Sequence, residues 1–196
     1  MRLFLKYDDE LQGNARNKTS RNKIREHFHP QLKAFWANTS VLRDWKTNGE
    51  DFGKKYPAPL SLAESYAAEF HLGATAFVPL VSKSMKLKCS LDILMLVAHH
   101  HSGVFSGGDI DNRTKSLIDG LRKPQQPNEI EGELQGFSRA NPLFTLLEDD
   151  NLIDEVKIRY GTLNVLPDAY KRHHVSVLIE ANVTPSFVTI DNSAFL

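Results

Sequence analysis

The chain has 196 residues, 41% hydrophobic and 24% charged, an ordinary globular composition that excludes a fibrous or intrinsically disordered protein. Lys and Arg together balance Asp and Glu at 24 each, which excludes a uniformly basic coat for nucleic acid, although residues 1–55 carry +5 and the remainder −5. No run approaches the ~18 consecutive apolar residues of a membrane span, MRLFLKYDDELQ is too quickly charged for a signal peptide, and the one cysteine, Cys89, has no internal disulfide partner.

These bounds lead to the expectation of one cytoplasmic domain over residues 1–196 with no membrane contact. MRLFLKY alternates as a strand does. From Ser20 to about Trp45, Ile24, Phe28, Leu32, Phe35 and Trp36 recur at helical spacing, with Pro30 the point where the helix breaks or restarts. Trp36 and Trp45 fall on the apolar face, for core or dimer contact. TNGEDFGKKYPAPLS reads as a loop, and Leu62–Phe70 as a short helix. Thr75–Val81 contains a proline and predicts an edge or interrupted strand. Lys88–Ala98 is the strongest strand signal and is apolar enough to lie centrally, with Cys89 as a small core residue.

The glycine-containing turn HHHSGVFSGG leads to a helix predicted to begin near Asp111. Lys123–Phe144, rich in Pro, Gln, Asn and Gly, reads as an insertion outside the core. Val156–Leu166 and His174–Val183 predict two strands, expected to form an antiparallel pair. The fold class is α/β (α+β), a single mixed sheet packed against helices.

Two acidic clusters carry the chemistry. In an extended segment Asp109 and Asp111 point to the same side and both face one ion. Asp111 also suits a helix N-cap, with Lys115 one turn further on, so carboxylates and an ammonium meet at a helix start. The second cluster is Glu148, Asp149 and Asp150. Hard carboxylate oxygens suit Mg²⁺ or Mn²⁺, and three of them with a lysine on the rim suit phosphodiester hydrolysis. Each cluster also has a plain alternative, a cap and a turn. An EF-hand is a poor alternative, since its glycine and closing glutamate are missing. The basic run NARNKTSRNKIR offers Arg16, Lys18, Arg21, Lys23 and Arg25 either as phosphate contacts or as a solvated first helical turn.

The string D-x-D-N-x-x-K at Asp109, Asp111, Asn112 and Lys115, followed by D-D-x-x-I at Asp149, Asp150 and Ile153, resembles the signature of the RusA-type Holliday junction resolvases. The likeness spans about residues 86–183. It implies a RusA-like fold and a homodimeric, Mg²⁺- or Mn²⁺-dependent endonuclease that nicks four-way DNA junctions, with no small-molecule cofactor. Carried over, Asp109, Asp111 and Asp150 bind the metal and Lys115 is catalytic. Asn112 supports the turn, and Asp149 is the supporting neighbour that trades places with Asp150 in an alternative assignment. This chain departs from the family by the 123–144 insertion and an added segment at 46–82, and the family's DNA-binding residues have no counterparts here. A non-catalytic nucleic-acid-binding or assembly protein of the same fold is the rival expectation.

Overall fold

A computed structural model describes residues 1–11, 18–46, 50–51, 54–55, 58–98, 107–130, 141–163 and 173–195. The strongest alternation in the sequence becomes one sheet. β1 (Arg2–Glu10) buries Leu3, Leu5 and Tyr7, β6 (Leu87–Ala98) buries every second residue from Leu87 to Val97, and β9 (His174–Pro185) does the same from Val175 to Val183. With β8 (Ile153–Leu163) they form a four-stranded sheet in the order β1-β9-β6-β8. β8 runs parallel to β6, and β9 runs antiparallel to both β6 and β1. The expected pairing of the last two strands with each other is therefore corrected. They flank β6 on opposite sides, because β6 is apolar enough to stand between two neighbours and the largely exposed β8 is suited to an edge.

The remaining strands make further sheets, so the α+β class stands but the single sheet does not. β4 (His71–Leu72), β5 (Thr75–Val81) and β7 (Leu143–Leu147) form a three-stranded sheet in that order, with β5 parallel to β7. β2 (Glu50–Asp51) and β3 (Lys54–Lys55) form a small hairpin inside the segment read as a loop. Pro79 does not interrupt β5. Its neighbour β4 pairs only with Thr75 and Ala76, so the missing proline N–H falls where no ladder bond is required. The segment read as an insertion contributes core at both ends, Ile130 being buried and Leu143 and Phe144 opening β7, while residues 131–140 lie outside the described ones.

Helix α1 (Lys18–Asn38) continues through Pro30, whose ring lies on the exposed side, and ends before Thr39, an extended residue that starts α2 (Ser40–Asp44). Its buried stripe of Ile24, Phe28, Leu32 and Trp36 packs against α4 (Gly107–Leu121), β7 and β1. Helix α3 (Leu62–Glu69) starts on a capping box, Ser61 Oγ accepting from Glu64 N at 3.2 Å and Glu64 Oε2 accepting from Ser61 N at 2.7 Å. Cys89 is buried, and burial pushes its thiol up to about 12, as a core residue requires. No helix among the described residues is long and apolar enough to cross a membrane.

Candidate metal and nucleic-acid site

Helix α4 sets the site. It begins at Gly107, four residues earlier than expected, so residues 109–112 are helical and Asp111 is not its N-cap. Positions two apart on a helix do not share a face, which removes the extended-segment argument for joining Asp109 to Asp111. Of Asp109 only the backbone is described. What the helix does bring to one face is the i, i+4, i+8 series Asp111, Lys115 and Asp119, with Thr114 and Ile118 beside it. These five residues and Asp150 line a cleft of about 280 Å³. The second acid of one motif and the last acid of the other thus share a cavity, with Lys115 between them in sequence.

The second cluster divides its labour. Glu148 Oε2 accepts from the Lys83 backbone N–H at 2.7 Å, holding the turn between β5 and β6. Asp149 caps the 3-10 turn Asp150–Leu152, accepting from Asn151 N at 3.2 Å, and its other oxygen accepts from Lys83 Nζ at 3.0 Å. With those two acids occupied, Asp150 is left to face the cleft. Burial and then the hydrogen bond with Asp149, reinforced by the nearby charge of Asp119, hold the Asp150 carboxyl above the usual aspartate range, against an opposing pull from Arg122. For Asp149 the Lys83 ammonium and the Asn151 amide outweigh the effect of burial and hold it low.

Behind the cleft lies a buried ionic layer. Asp119, 6% exposed, has Arg21 Nη1 3.5 Å from one carboxylate oxygen and Arg122 Nε 3.4 Å from the other. Arg25, 1% exposed, donates to the carbonyls of Arg122 and Asp119 at 2.8 Å each and to Asn22 Oδ1 at 2.6 Å, and lies 3.6 Å from Glu129. The expected phosphate contact at Arg25 is therefore corrected: its guanidinium is spent on internal acceptors. Arg21 is also largely enclosed, whereas Lys23 is exposed. Arg16 and the Lys18 side chain lie outside the described residues. Asn112 is exposed and does not line the cleft.

Thr114 Oγ1 and Tyr160 Oη hydrogen-bond at 2.7 Å, tying α4 to β8 beside the cleft. Asp119 is the lining acid that sequence reasoning left out of the site. Its signal was present, since it repeats the four-residue step from Asp111 through Lys115, but a polar residue at that spacing serves equally as a solvated face. The donor set is hard oxygen, the chemistry of Mg²⁺ or Mn²⁺. Among the described residues no three acidic, histidine or cysteine side chains are gathered to hold one ion. Comparison of the chain with family models, with characterised proteins and with solved structures finds no match.

Proposed function

We propose that the protein is a metal-dependent endodeoxyribonuclease that nicks branched DNA, four-way junctions first among them, as a cytoplasmic homodimer. The observation that carries this reading is the meeting of Asp150 with Asp111 and Lys115 in one cleft, from two motifs that resemble the RusA-type pair. Asp111 and Asp150 hold the ion, together with Asp109 on the strength of the resemblance. Bound Mg²⁺ or Mn²⁺ supplies an activated water and neutralises developing phosphate charge. The Lys115 ammonium faces the scissile phosphate from the rim, and Asp119, fixed by Arg21 and Arg122, keeps the back of the cleft rigid. The sheet face opposite the core exposes Phe4 by 55% and Leu178 by 44%, which supports a dimer contact there.

The test is incubation of purified protein with labelled four-way junction, flapped DNA and linear duplex, each with and without Mg²⁺ or Mn²⁺. Paired, metal-dependent nicks confined to the branched substrates are expected. Binding without cutting under either ion would replace the enzyme with the non-catalytic nucleic-acid-binding reading.

A further inference from the structure

The four-stranded sheet ends in two edges, and the chain treats them differently. Along β1 the outward backbone is filled by side chains. Lys6 N–H donates to Gln31 Oε1 at 2.9 Å and Gln31 Nε2 donates to Lys6 O at 2.7 Å, so the Gln31 amide stands where a neighbouring strand would. His27 Nε2 lies 3.1 Å from the same carbonyl. Further along, Tyr7 Oη donates to Glu10 O at 2.6 Å and Glu10 N–H donates to Asp9 Oδ1 at 2.7 Å. An edge covered in this way is closed to another chain.

β8 forms the opposite edge. Among the described residues no strand pairs with its outer side, and no side chain bonds the backbone of residues 154–159. Alternation identifies the groups left open. Met1 and Val183 exchange two bonds of 2.7 Å, which turns the odd residues of β9 toward β1 and its even residues toward β6. Asn182 stands opposite Ser90, and Leu91 opposite Val156. Carried through these registers, the alternation directs the N–H and C=O of Val156 and Ile158 to the free edge.

The side chains that ordinarily blunt an edge are turned away from it. Lys157 Nζ and Arg159 Nη2 reach back across the outer face to Asp92 on β6, at 3.4 and 2.9 Å. Lys88 Nζ lies 3.7 Å from Asp154. On the inner face Val156 is 39% exposed and, with Ile118 and Ile153, lines an open groove of about 400 Å³. The edge thus offers unpaired backbone beside an apolar strip.

We propose that a second copy of this chain occupies the edge, β8 pairing antiparallel with β8 across a twofold axis at Val156. The charge pattern selects this partner and this register. Pairing centred on Val156 puts Glu155 opposite Lys157 of the second copy, twice by symmetry, and sets Val156 against Val156 over the groove. Moving the axis to Lys157 would oppose lysine to lysine, and moving it to Ile158 would oppose lysine to arginine. The joined sheet has both Asp111–Lys115–Asp150 clefts on the same side. This names a contact for the homodimer of the nuclease reading, yet the pairing rests on the edge alone and survives loss of that reading. Phe4 and Leu178 lie on β1 and β9 and take no part in it.

The experiment is oxidative cross-linking of the full chain at single introduced cysteines, with sedimentation across a concentration series. Residues that exchange bonds across an antiparallel pair lie about 5.5 Å apart at Cα, inside the range a disulfide spans, and the native Cys89 is buried. Val156→Cys is expected to give covalent dimer. Thr162→Cys, exposed on the same strand but about 40 Å from its own copy in this register, is expected to give none. Val156→Pro removes an outward N–H and no bond to β6. It should weaken self-association about tenfold or more, the scale of two hydrogen bonds lost by symmetry, with the melting temperature little changed. Glu155→Lys should also weaken it, most strongly at low salt. A wild type that sediments as monomer at every concentration overturns the inference. Cross-linking through Leu178→Cys and not through Val156→Cys also overturns it, moving the contact to the outer face. Neither readout uses DNA, so a failure to cut junctions falls on the nuclease reading alone.

Discussion

The guanidinium of Arg25 donates to the backbone carbonyl of Asp119 at 2.8 Å, so α1 is fastened to the turn of α4 that delivers an acid to the cleft. Arg25 is buried, its guanidinium donating to Arg122 O, Asn22 Oδ1 and Asp119 O, and burial, opposed chiefly by Glu129, lowers its guanidinium to about 10, leaving it charged at neutral pH.

Replacing Arg25 by methionine leaves two carbonyls and Glu129 with one fewer partner in a dry site. The expected loss is about 3–5 kcal/mol of folding stability, read by urea unfolding. Lys23→Met, two positions earlier on the exposed side, is expected to change stability by no more than about 0.5 kcal/mol. Equal, small effects for the two would mean that Arg25 is not a structural tie.

The same helix crossing depends on Gly120. A Cβ at this position would fall 2.6 Å from Ile24 Cβ, on a helix branch point rather than a flexible tip. Gly120→Ala gains about 1 kcal/mol of helix propensity but forces α1 and α4 apart. A net loss of about 1–3 kcal/mol is expected, with partial recovery in the Gly120→Ala, Ile24→Ala double variant. Additive losses in a double-mutant cycle would place the strain elsewhere.

His29 gives the fold a pH limb. Its Nδ1 accepts from the Phe144 backbone N–H at 3.0 Å, which requires an unprotonated nitrogen. Burial first, and then Lys33, hold the imidazole below the ordinary histidine range. The unfolded chain therefore takes up a proton near the ordinary value of about 6.5 that the fold refuses. Stability from this group is complete above that value and falls as the pH drops through it toward the folded-state value. His29→Asn, which retains an acceptor and cannot titrate, is expected to flatten this limb in unfolding free energies measured against pH. An unchanged limb would assign it to another group.

Asp149 raises its neighbour. Asparagine at 149 preserves the cap on the 3-10 turn and removes the negative charge that, with burial, holds Asp150 above the usual range. The acid limb of Mn²⁺ binding, followed by titration calorimetry, should therefore move to lower pH in Asp149→Asn. A limb that stays in place would mean that Asp150 is not the titrating ligand.

Metal ions should stabilise the fold if the cleft binds them. At one hundred times the dissociation constant, mass action predicts a gain of about 2.7 kcal/mol, visible as a raised melting temperature that EDTA abolishes. Asp111→Asn should lose this gain and cut junctions at least about a hundredfold more slowly, with binding retained or tightened. Normal cutting by that variant would displace Asp111 from the site.

Local pattern carried far in this chain, and tertiary contact decided the rest. Strict alternation made β1, β6 and β9 legible, and the Ile24, Phe28, Leu32, Trp36 stripe made α1 legible. The start of α4 differs from the expectation because Gly107 and Gly108 weigh against a helix and Asp111 resembles a cap, whereas the helix begins at Gly107. That β8 and β9 flank β6 rather than pair with each other was not legible, because the order of strands in a sheet is set by contacts distant in sequence. In the site, the acids and Lys115 were visible as residue types. The burial of Arg25 was not, since a basic run looks the same whether its arginines face water or the carbonyls of a neighbouring helix.

The place of β9 has a consequence for how the protein is made. Of the described strands β1 is synthesised before the rest, yet its partner in the sheet is β9, made after the others, with Arg2 opposite Asn182. At a translation rate of about 5–20 residues per second, both β1 and one side of β6 wait several seconds or longer with unpaired edges. During that interval α1 and α4 have no complete sheet to rest on. The nascent chain is then most exposed to edge-to-edge association, and shortening it from the C-terminal side into β9 takes away the centre of the sheet rather than its rim.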